Sequence, residues 1–256
     1  MNRLSTYFTL AIVTFALFAC EKDNPPPNTQ VTPPTDFNGI RLASAGTVTL
    51  NFTEVFGNSP LKLDPDSFIT QSGDTIKITD LKYYISHVSF VRSNGTVYNT
   101  GNHKLVDFGN SNNAIIMSVP AGDYTRLTFL LGVDSFNNHA GPMDGDLDPG
   151  LGMFWGWSTG YIFYRLKGWH GAERGAIAYD IGGVPNLLKI EFDLQAYKVD
   201  KNNISIAVNH DVAKFFSTPN VIQLKNVVTQ IHTAGNPFIP TLTANMSNMF
   251  NLKSVQ

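Results

Sequence analysis

Residues able to do chemistry are few in this chain and unevenly placed. Two of its three tryptophans, Trp155 and Trp157, stand two apart in "MFWGWSTGYIFY", between glycines. Glycine there permits close backbone approach and unusual dihedrals, which an indole serving only as a core plug does not need. The six histidines, His87, His103, His139, His170, His210 and His232, are scattered, and none pairs with another at helical or strand spacing. Imidazole suits copper and zinc, so an ion site requires distant residues to converge across loops. "MDGDLDPG" sets Asp144, Asp146 and Asp148 at alternate positions, as a calcium loop begins. The bidentate glutamate of such a loop is missing, because Trp155 holds its place; an Asp- and Gly-rich turn has the same composition. No nucleophile elbow, phosphate-binding glycine loop, HExxH or cysteine-ligand pair occurs. The expectation is a binding protein without catalytic residues, not an enzyme.

The lone cysteine fixes an expected compartment. "YFTLAIVTFALFAC" is an apolar run too short to span a bilayer, preceded by Arg3 and ending at Cys20 in a lipobox-like "LFAC". Residues 1–19 read as a lipoprotein signal peptide and Cys20 as the lipidated residue. Residues 20–40, "EKDNPPPNTQVTPPTDFNG" and its flanks, are Pro-rich and poor in large apolar groups, which makes an extended tether. The acyl chains would anchor the protein in a membrane, the outer membrane by expectation, facing periplasm or surface. Loss of Arg3 takes the net charge from −2 to −3, and only 15% of residues are charged. That balance argues against nucleic acid and against polybasic membrane docking. With Cys20 lipidated, no disulfide is available, and the domain over residues 41–256 must be held by its core.

Positioning falls to strands. "KIEFDLQ" alternates Ile190, Phe192 and Leu194 with polar neighbours, and "ISIAVNH" does so with Ile204, Ile206 and Val208. "TVTLNFTEVF", "TIKITDL", "KYYISHVSFV", "HKLVDF", "YTRLTFLLGV", "GYIFYRLKG" and "AIAYDI" are further strands, punctuated by "SNG", "GNSNN" and "PAGD" turns. Many short strands without long intervening helices predict an all-β, antiparallel β-sandwich. "DVAKFF" forms a turn or two of helix. Leu242, Met246, Met249 and Phe250 at helical spacing predict a short C-terminal helix capping the sheets.

"LGVDSFNN", "LDPGLGMFWGWSTGYIFYRLKG" and "YDIGG", with the upstream "LKYYISHVSFV" and "PAGDYTRLTFLLGVD" and the closing "ANMSNMFNL", resemble the MbnP-like family from about residue 46 onward. The family comprises periplasmic or lipid-anchored proteins related to copper-binding partners of methanobactin systems and to copper-repressible surface proteins. The resemblance implies copper as cofactor. It also implies a tryptophan oxidised to kynurenine by a dihaem peroxidase-like, MbnH-type partner. Trp155 or Trp157 is the expected ring, with Trp169 the remaining tryptophan. Relatives often carry Tyr-His-Ile-Gly-Gly where this chain has Tyr179-Asp180-Ile181-Gly182-Gly183, so a carboxylate replaces an imidazole. The ligand set this implies is His139 on the "NNHAGPMDGDLDP" loop, Asp180, and His232 before the closing helix; His87 and His210 stand in reserve. The rival expectation is a metal-free module that binds glycan or protein through the paired aromatics.

Overall fold

Strands and turns carry nearly all the regular structure. The computed structural model describes residues 45–64, 66–111, 113–200 and 203–256, so the expected signal peptide, Cys20 and the tether lie outside the described residues. The principal strands are β1 (Ala45–Phe56), β2 (Thr75–Arg92), β3 (His103–Asp107), β4 (Ala114–Pro120), β5 (Gly122–Leu131), β6 (Gly160–His170), β7 (Gly175–Gly182), β8 (Leu188–Val199), β9 (Ile204–Asp211) and β10 (Phe250–Val255). Two helices, α1 (Ser135–His139) and α2 (Ile239–Met246), join them with a few 3-10 turns. All described residues fall in one unit. No helix among them is long and apolar enough to cross a membrane.

The strands form two facing sheets. In the smaller, β1 lies between β4, antiparallel, and β9, parallel, with β10 on the far side of β9. The larger runs β8-β5-β2-β6-β7, all antiparallel, with β3 also paired to β2. The expected sandwich is present. Its departure from pure antiparallel pairing is β1 with β9 and, briefly, β7 with Gln230–Ile231. Between β1 and β9 the chain lays β4 against the other edge of β1 and builds the principal strands of the second sheet, and a long connection of that kind permits a parallel neighbour.

Alternation explains the inner layer. β1 turns Val48, Leu50, Phe52 and Phe56 inward, and β9 turns Ile204, Ile206 and Val208. Across the sandwich, Phe52 meets the rings of Tyr83 and Phe129 edge-on at 6.0 and 5.8 Å. Each such contact adds about 0.5–1.5 kcal/mol beyond the area it buries.

β2 does not alternate, because both its faces are covered. Tyr83 points into the sandwich core, while Tyr84 points outward into a second cluster with Leu105, Val133, Leu147, Met153 and Tyr161. A layer of chain over residues 132–156 closes that cluster, which is why "YYISHVSFV" reads as a nearly continuous apolar run.

Three elements differ from expectation. "TIKITDL" and "KYYISHVSFV" form one strand, β2; "AIIMSVP" forms β4; and the closing helix stops at Met246. Met249 lies beyond it and Phe250 opens β10, where "FNLKSV" pairs with β9. Residues 242–250 thus mix a helical period with the first residue of a strand.

Candidate metal centre

Local backbone features bring three side chains together. β2 breaks register with β5 between Ser86 and Ser89, and His87 in that break has φ +51°. A left-handed backbone costs a non-glycine residue about 1–2 kcal/mol. Bulges of this kind re-aim side chains beside functional sites. The His87 N–H leaves the ladder with β5 and donates to the carbonyl of Asn102 at 3.1 Å. Next to it, His103 opens β3 opposite Ser86.

The third group arrives from the end of β5. Gly132 has φ +126°, and a methyl group there would run into the ring of Phe163. Its N–H donates to the Tyr84 carbonyl at 2.8 Å, and its carbonyl accepts from Ser86 Oγ at 2.7 Å. That clamp delivers Asp134 to the start of α1. Asp134 Oδ1 accepts from the N–H groups of Phe136 and Asn137 at 3.0 and 3.2 Å, an N-cap. Its other oxygen, Oδ2, receives Asn137 Nδ2 at 2.7 Å.

Both histidines reach that same Oδ2, His103 Nε2 at 2.8 Å and His87 Nε2 at 3.0 Å. The rings stand edge-on with centroids 5.5 Å apart, and Asn99 Nδ2 lies 3.4 Å from His87 Nδ1. Burial alone would raise the Asp134 carboxyl. The hydrogen bonds from Asn137 and from both histidines outweigh it and hold the group well below the ordinary carboxylate range. Asp134 is thereby an anion over the whole physiological range, in position to accept a cation.

Among the described residues, His87, His103 and Asp134 are the one trio of His, Cys, Asp or Glu whose ligand atoms all lie within 4.8 Å of one another. A four-coordinate ion with bonds of about 2.0–2.2 Å needs ligand atoms about 3.3 Å apart. The contacts to Asp134 are a few tenths shorter, so a slight opening of the three groups admits an ion. Their solvent exposure of 30%, 12% and 17% leaves a way in at His87.

The expected ligand trio does not assemble. Asp180 is 5% exposed and already neutralised, by Arg165 Nε at 2.6 Å and by Lys167 Nζ at 3.9 Å. His232 does join it, Nδ1 to Oδ2 at 3.1 Å. His139 is not part of that group: it is exposed at the end of α1, with Nδ1 bonded to the Ser135 carbonyl at 2.7 Å. The Asp180 site is therefore a salt bridge with a histidine at its rim, since the guanidinium occupies the carboxylate. Of the reserves, His210 is buried in the core and His87 belongs to the trio.

The tryptophans part company. Only Phe154–Gly156 form a strand, so Trp155 and Trp157 do not share a face as a continuous strand would require. Trp155 packs half-buried on the outer cluster, above Gly182, where an added methyl would lie 2.9 Å from its ring. Trp157 is 73% exposed and rests on Gly141 of the His139 loop. The loop acids make turns: Asp146 pairs with Lys104 at 3.5 Å, and Asp148 caps the following 3-10 turn through Gly150 N–H at 2.7 Å.

His103 and Asp134 escaped the sequence reading. One signal was legible: folding the chain back at "SNG" sets His103 beside the position opposite His87. The bulge at His87 and the turn at Gly132 left no such trace.

A family model, MbnP, matches residues 45–234. The chain belongs to the MbnP family. Among solved structures, MbnP from Methylosinus trichosporium is similar to it with 15% identity and a TM-score of 0.52, covering 83% of this chain and 98% of that one. At that identity the likeness concerns the fold alone, and the MbnP sandwich is what the two chains share. A search of curated proteins gave no match.

Proposed function

We propose that this MbnP-family protein is a lipid-anchored component of the cell envelope that binds a divalent transition-metal ion, with copper favoured. The observation that carries the proposal is the convergence of His87, His103 and Asp134 from three separate elements. Two imidazoles and a carboxylate are borderline-to-hard donors, which favours divalent over cuprous copper. The Irving–Williams order then puts cupric copper above zinc. The anchor is supported by the lipobox-like sequence ending at Cys20.

The protein's own groups define what binding does. To hold the ion, His87 and His103 would each present a hydrogen-free Nε2, with the ring hydrogen on Nδ1, so their present hydrogen bonds to Asp134 would be given up. Asn99, beside His87 Nδ1, steadies the ring. Asn137 keeps one donor on Asp134 Oδ2 and holds the carboxylate to α1. No catalytic role is proposed. The tryptophan part of the reading attaches to Trp157, the ring an oxidising dihaem partner could reach, in preference to the half-buried Trp155.

The test is titration of the full-length chain in detergent with Cu(II), Zn(II) and Ca(II), alongside His103→Ala. Stoichiometric copper binding, lost in the variant, is expected. Absence of binding, or binding indifferent to His103, would reduce the trio to a hydrogen-bonded helix cap. Peptide mass analysis after exposure to the peroxidase partner tests the tryptophan.

A further inference from the structure

The third tryptophan is absorbed neither by the ion site nor by the aromatic loop. Trp169 stands near the end of β6, opposite Lys77 of β2. Just before it the two strands lose register, and Gly168 lies so close to β2 that an added methyl would collide with the Lys77 carbonyl. The ladder resumes in its shifted register through Trp169 and His170, and Trp169 stays 36% exposed.

The hairpin after β6 folds back beside this ring. Gly171 N–H donates to the Thr75 carbonyl at 2.8 Å, which fastens the turn to the start of β2. Arg174 closes the turn with φ +56°, and its guanidinium carbon lies 5.1 Å from the Trp169 ring centre. Between turn and strand is a cleft of about 380 Å³ lined by Trp169, Arg174, Lys77, Asp64, Ser67 and Thr75, among others. That is within the size range of small-ligand sites.

Arg174 differs from the other described arginines. Arg126 and Arg165 pair with carboxylates, and Arg92 donates to the Ala121 carbonyl. Among the described residues, the partner of Arg174 is the indole. A stacked guanidinium keeps its edge donors free, in a fork that matches a carboxylate. Lys77 adds a second cation, held loosely by Asp64 at 3.6 Å with both side chains well exposed.

We propose that this cleft binds an acidic sugar, a uronate residue of an oligosaccharide. The sugar's carboxylate meets Arg174 and its C–H face lies against the exposed part of the Trp169 indole that Arg174 leaves uncovered. Its hydroxyls donate to Asp64 and exchange hydrogen bonds with Ser67 and Thr75. An aryl acid satisfies the ring and the guanidinium but brings no hydroxyl for Asp64, whose charge repels it. A bare phosphate or sulfate has no C–H face to lay against the indole. The site shares no residue with the ion site and stands or falls independently of it.

The full-length chain in detergent is titrated by calorimetry with trigalacturonate, with galactotriose, benzoate and sulfate as comparisons. Trigalacturonate is expected to bind at least about tenfold more tightly than each comparison. Trp169→Ala and Arg174→Gln are each expected to weaken it about tenfold or more. Arg174 is exposed, so its replacement leaves folding intact, and ion binding serves as a check. Failure of trigalacturonate to bind, equal binding by benzoate, sulfate or galactotriose, or unchanged binding by Arg174→Gln overturns the proposal.

Discussion

Asp134 and His103 are joined by the shortest imidazole contact of the His87–His103–Asp134 trio, 2.8 Å from Nε2 to Oδ2, while the other oxygen of the same carboxylate caps α1. One side chain thus serves both the site and the helix that borders it.

Replacement of Asp134 separates these duties. Asp134→Asn keeps an oxygen for the cap but loses the anion, and copper affinity is expected to fall by at least about a hundredfold with stability little changed. Asp134→Ala loses both and costs about 1 kcal/mol more in stability. Calorimetry and chemical denaturation of the two variants distinguish them.

Because the cap hangs from a ligand, an ion should steady α1. Hydrogen exchange at the N–H groups of Phe136, Asn137 and Asn138 is expected to slow on adding copper, and not in His103→Ala.

The salt bridge at Asp180 is structural. Arg165→Met strands a buried carboxylate and is expected to destabilise the fold by about 3–5 kcal/mol. His232→Ala, at a side chain 52% exposed, should cost less than about 1 kcal/mol and leave copper affinity intact. An affinity loss in His232→Ala would return the ion to Asp180.

His210 governs acid stability. Burial among Tyr83, Tyr164 and Phe250 pushes it down to about 3, and its Nδ1 has no partner among the described residues. The unfolded chain takes up this proton near 6.5 and the folded chain only near 3. Its contribution is complete above 6.5 and is lost as pH falls through that window, at up to about 1.4 kcal/mol per unit. Glu54, the partner of His210 in register, is raised by burial, so it works in the opposite sense above its ordinary value of 4.5. Denaturation of wild type and His210→Leu across pH 3–7 isolates the histidine: the variant should show a shallower loss toward acid.

Much of this architecture was legible. The alternation of β1, β8 and β9 gave their faces, because one side of each is buried. β2 hid its pairing because Tyr83 and Tyr84 are both covered. The ion site was not legible, since it depends on a one-residue register slip at His87 and on a turn at Gly132. Asp180 misled for a physical reason: the carboxylate in place of an imidazole is matched by Arg165, 15 residues earlier and directly opposite it in register on the neighbouring strand.

The nitrogen donors belong to the β2–β3 hairpin, and the oxygen donor to the layer laid over Tyr84. The hairpin is built into the sandwich, whereas the overlying layer covers its outer face. If the trio holds an ion, substitutions confined to residues 132–156 would recompose its oxygen donor while leaving the hairpin's two nitrogens in place.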